Sequence, residues 1–87
     1  MKAIVTVIGK DKSGIIAAVT GELSRLGANV EDISQTILQD YFVMLMLIES
    51  KKASVADISG KLEALSKKVG VDIKVQHEDI FNAMHRI

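Results

Sequence analysis

Two hydrophobic spacings alternate along this chain. Lys2 to Ile8 is β-branched and almost wholly apolar, the pattern of a strand buried on both faces. Gly9-Lys10-Asp11-Lys12-Ser13-Gly14 interrupts it as a polar loop. From Ile15 the period turns helical: Ile16, Val19, Leu23 and Leu26 recur on one face with Ile15 beside them. Ser13 is placed to cap this helix and Gly27 to stop it. Asn29 to Leu38 reads as a mixed strand, Gln39-Asp40 as its turn, and Tyr41 to Ile48 as a second fully apolar strand. Ser54 and Asp57 have capping-box spacing ahead of Val55, Ile58, Leu62, Leu65 and Val69, an amphipathic helix that Gly70 ends. Val71, Ile73 and Val75 then alternate with polar residues, as in a half-exposed edge strand. Asp79 is placed to cap a short C-terminal helix carrying Ile80, Phe81, Met84 and Ile87.

The order β-α-β-β-α-β predicts an α+β, ferredoxin-like sandwich: an antiparallel four-stranded sheet, two helices on one face, and a short C-terminal helix. Its strand order, 4-1-3-2, makes the first and third strands central, and these are the continuously apolar ones. With the turn at Gln39-Asp40, Leu38 faces Tyr41 and Ile33 faces Met46. Ile33, Ile37, Phe42, Met44, Met46 and Ile48 then point to the helices. Val30, Asp32, Ser34, Thr36, Val43, Leu45 and Leu47 point the other way. That second face needs a cover, either a second subunit or the C-terminal helix, and a homodimer is the commonest closed solution.

Composition narrows the function. The 87 residues suffice for one domain, 1–87, and the formal net charge is zero, unlike a nucleic-acid binder or a polybasic membrane module. The chain has no cysteine, so thiolate metal sites and cysteine nucleophiles are excluded. The longest apolar run, Tyr41 to Ile48, is far short of a membrane span, and the N-terminus lacks signal-peptide character. A cytoplasmic protein is expected. His77 and His85 have no partners at ligand or catalytic spacing, and no nucleophile elbow or P-loop occurs. No catalytic residue, metal site or cofactor is therefore expected.

The Gly9–Gly14 loop joins a central strand to a helix N-terminus, whose unpaired amides and dipole favour a carboxylate or phosphate. By pattern alone an ordinary βα turn with a Ser cap and two solvated lysines is the stronger reading, since glycines are common in such loops. Asn29 opens the next strand, and the helix length puts it at the far end from the loop, within reach only of a neighbouring subunit.

Gly9-Lys10-Asp11-Lys12-Ser13-Gly14-Ile15-Ile16-Ala17-Ala18-Val19, followed by Leu23 and Gly27-Ala28-Asn29-Val30-Glu31-Asp32-Ile33-Ser34-Gln35-Thr36, resembles the start of an ACT domain. The nearest likeness is to short stand-alone ACT proteins and to the domains of the glycine cleavage system transcriptional repressor. Many relatives carry Arg-Pro where this chain has Lys12-Ser13, which keeps the positive charge and loses the rigid turn. The resemblance implies a βαββαβ regulatory module that binds an amino acid at a subunit interface. It implies a pocket lined by Asp11, Ser13, Gly14, Ile15 and Ile16, with Asn29 taking part across the interface. The alternative is a protein-interaction or dimerisation module with no ligand of its own, docking on an enzyme or transcriptional regulator.

Overall fold

The computed structural model describes residues 1–10 and 14–79. Its elements run β1 (Lys2–Gly9), α1 (Ile15–Arg25), β2 (Ala28–Leu38), β3 (Tyr41–Ser50), α2 (Val55–Val69) and β4 (Asp72–His77). The four strands form one antiparallel sheet in the order β2-β3-β1-β4, so the two apolar strands are indeed central. Among the described residues, no helix is long and apolar enough to cross a membrane. The expected C-terminal helix carrying Ile80, Phe81, Met84 and Ile87 lies outside the described residues.

Both helices lie against one sheet face. Ala3, Val5 and Val7 of β1 and Phe42, Met44, Met46 and Ile48 of β3 are buried there. They pack with Ile15, Val19 and Leu23 of α1 and Ile58 and Leu62 of α2. Each such side chain contributes about 1.5–3 kcal/mol by leaving water. Ile16 and Leu26 only flank this core, so the α1 stripe is centred one position from its expected line. Gly27 (φ 76°) and Gly70 (φ 73°) take the left-handed conformation that ends each helix. The α2 capping box forms as read: the Asp57 amide donates to Ser54 Oγ at 3.1 Å, and the Ser54 amide donates to Asp57 Oδ2 at 3.1 Å. These bonds, to the Ser54 backbone first, hold the Asp57 carboxyl below its ordinary range.

Three expectations need correction. First, β1 and β3 are buried on the helix side only; on the other side Ile8 is 42% and Leu45 39% exposed. Second, the β2–β3 register shifts between Val30 and Asp32, making a bulge at Glu31. The extra residue moves Val30 opposite Ile48, onto the helix face, instead of onto the open face with Asp32. The Lys2 ammonium lies 3.4 Å from the Glu31 carboxylate beside this bulge. Third, Ile33 and Ile37 do sit on the helix face, opposite Met46 and Phe42, but the helices do not cover them. They are 39% and 57% exposed, and only Ala28 of β2 is buried. No described residue covers them, and β2 beyond Ala28 is exposed on both faces.

Candidate functional site

Gly9 ends β1 and marks where the chain must come close to another segment. A Cβ at Gly9 would meet Val71 Cγ1 at 2.5 Å and Ile15 Cδ1 at 3.7 Å. The β1 terminus, the first residue of α1 and the entry to β4 are thus pressed together at one end of the sheet. Lys10 follows, with its ammonium 5.7 Å from the centre of the Tyr41 ring.

The α1 cap is Gly14, not the expected Ser13. Gly14 has φ 75°, no side-chain cap, and a carbonyl that accepts the Ala18 amide at 2.9 Å. The amides of Ile15, Ile16 and Ala17 belong to the first turn and have no helical carbonyl to pair with. Its chain neighbours aside, no described residue lies within 4 Å of where a Gly14 Cβ would be, and Gly14 is exposed. The Ile15 side chain is core, 3% exposed, and offers a site only its main-chain N–H. Ile16 is half-buried against the core. Asp11 and Ser13 lie outside the described residues.

Asn29 is exposed and aligned with Glu49, which pairs in turn with Lys2. Gly9 aligns with Phe42 at the other end of the same ladder. Seven residues of β1 separate the two rows, about 23 Å at strand spacing. One chain therefore does not bring Asn29 and the α1 N-terminus together, in line with the geometric expectation.

Sequence reasoning missed a groove of about 990 Å³ along α2 and β4, whose lining includes Gly9, Lys10, Ser66, Lys67 and Val71. None of Gly14, Ile15, Ile16 or Asn29 lines it. No sequence signal marks it, because it arises from how α2 packs beside β4. Among the described residues no group of His, Asp and Glu could hold a metal ion.

The open face has a clear layout. Ile4, Ile8, Val43, Leu45 and Leu47, on the two central strands, form an apolar centre. Polar residues border it on both outer strands, among them Asp72 and Lys74 on β4 and Asp32, Ser34 and Thr36 on β2.

A βαββαβ sheet of this kind carries many functions, so the fold alone does not choose among them. Residues 2–76 match the ACT domain, and the chain belongs to that family. It is 51% identical to a UPF0237 protein of Clostridium acetobutylicum over 89 residues, covering 100% of both chains. The solved structure of an ACT domain protein from Streptococcus pneumoniae has 45% identity and a TM-score of 0.85, covering 98% of each chain. A structure described as a glycine cleavage system transcriptional repressor shares the fold, with a TM-score of 0.77 at 21% identity over 86% of this chain and 44% of that one. ACT domains are generally regulatory modules that bind small molecules, amino acids among them.

Proposed function

We propose that this chain is a non-catalytic regulatory module of the cytoplasm that binds a free amino acid in a seam between two copies of itself. The observation that carries the reading is the α1 N-terminus, capped by a glycine without a side chain and open to solvent. Its first-turn amides suit the amino acid's carboxylate, and the positive end of the helix dipole favours that charge. Asp11 and Ser13 flank the same loop in sequence. The ligand's ammonium needs an acceptor, which the Asn29 amide oxygen of a neighbouring copy would supply.

For Asn29 to reach the loop of another chain, the two chains must run antiparallel. The β2 edge favours that arrangement. Among the described residues it is unpaired on its outer side, and it carries Val30, Ile33 and Ile37 exposed on the helix face. Pairing β2 with β2 about a two-fold axis would cover those residues and carry Asn29 to the far end of the partner's sheet.

Calorimetry of the full chain against the twenty common amino acids tests the reading. At least one should bind, and Gly14→Trp should abolish that heat. Silence across the panel overturns the reading in favour of a docking module without its own ligand.

A further inference from the structure

The β2 pairing proposed above would leave the opposite face of the sheet uncovered by any described residue. Its apolar centre and polar borders have the layout of a protein interface, greasy at the core and polar at the rim. The question is what covers it, and the charges on the rim favour a second copy of the same chain.

Asp72 and Lys74 are two residues apart on β4 and point to the same open side, aligned with Ile8 and Thr6 of β1. A half-turn about an axis perpendicular to the strands reverses their order. If that axis crosses between the Val43 and Leu45 rows, Asp72 of each copy faces Lys74 of the other, twice per contact. The same half-turn lays Leu45 on Val43, Leu47 on Tyr41 and Thr36 on Ser34 across the seam. It also lays Ile8 on Thr6 and Leu38 on Asp32, and opposite charges meet at the β4 rim, with sheets about 10 Å apart. A formal net charge of zero adds no long-range repulsion between copies. An axis parallel to the strands lacks this match, because it sets Asp72 over Thr36 and Lys74 over Ser34.

Symmetry agrees with this axis if β2 pairs with β2 as proposed above. Beyond the bulge the regular part of β2 runs from Asp32 to Leu38 and is centred on Gln35, which aligns with Met44, between Val43 and Leu45. A β2–β2 pair centred there has its two-fold at the same height as the face axis. The two axes then intersect, and the assembly closes with four subunits instead of growing without limit.

We infer that the open sheet face binds the same face of a second copy through reciprocal Asp72–Lys74 contacts about a two-fold axis perpendicular to the strands. The four-subunit closure rests on the β2 pairing proposed above, whereas the face contact does not.

The test is sedimentation of the full chain with charge reversals at these exposed positions, which leave the core untouched. Lys74→Asp alone and Asp72→Lys alone should each weaken association by at least about tenfold. The double variant Lys74→Asp/Asp72→Lys should regain it. Circular dichroism of each variant should match the wild type. A tetramer that falls to a dimer on single reversal, and recovers on double reversal, supports the whole arrangement. A wild-type dimer that falls to a monomer supports the face contact and removes the β2 pairing. Single reversals that leave the assembly unchanged, or a double variant no better than the singles, overturn the inference; so does a wild-type monomer.

Discussion

Gly9 shows how one missing side chain sets the geometry of the loop end. Any Cβ there collides with Val71, which is buried at the start of β4. Gly9→Ala should cost about 1–3 kcal/mol, as overpacking does. Val71→Ala removes the obstructing methyl, so the double variant should lose less than the sum of the singles in urea titration. Gln39 presents the reverse case. It is the one non-glycine at positive φ among the described residues (54°), in the β2–β3 turn. Gln39→Asn should stabilise the fold by about 0.5–1 kcal/mol, because asparagine tolerates that region better. Asp57 carries a pH dependence with a definite sign. Its carboxyl is held low by the Ser54 bonds, so the folded chain binds fewer protons there than the unfolded one. Its contribution is complete above the ordinary Asp range, near about 4, and disappears as pH falls through the lower folded value. The stability gap between wild type and Asp57→Asn should therefore close on acidification, as read by urea midpoints across a pH series.

At the scale of elements, burial separates neighbours that look alike in sequence. Met46 is fully buried and Leu45 is 39% exposed. Met46→Ala should cost about 2–5 kcal/mol of folding stability. Leu45→Ala should leave the monomer's stability within about 1 kcal/mol and act on association. Periodicity made the elements legible: alternation and helical spacing gave the strand order, the capping box and both glycine stops. The Glu31 bulge was not legible, since nothing in Val30-Glu31-Asp32 marks an inserted residue, and it turned Val30 to the other face. Ile33 and Ile37 were assigned the correct face but not their exposure, because apolar spacing reports which way a side chain points and not how far a helix reaches. The candidate site was legible in part. The loop glycines stand out by composition, and helix length alone set Asn29 far from them. Ser13 gave way to Gly14 as the cap, since the left-handed backbone there suits glycine better than serine.

Among the described residues there is more apolar surface than two helices hide, and most of the excess lies in two places. One is the helix-side face of β2 and the other is the open face. Both are accounted for if copies of the chain complete one another, and the ligand seam follows from the first. Subunit mixing tests this central claim most directly. Gly14→Trp spoils the loop and Asn29→Ala spoils the acceptor, so neither variant alone should bind the amino acid identified by calorimetry. In an equal mixture of the two, exchanged dimers hold one intact loop facing one intact Asn29. Binding should reappear at about a quarter of the wild-type sites. A mixture as silent as its parents, or an Asn29→Ala chain that binds unaided, would contradict a pocket shared between subunits.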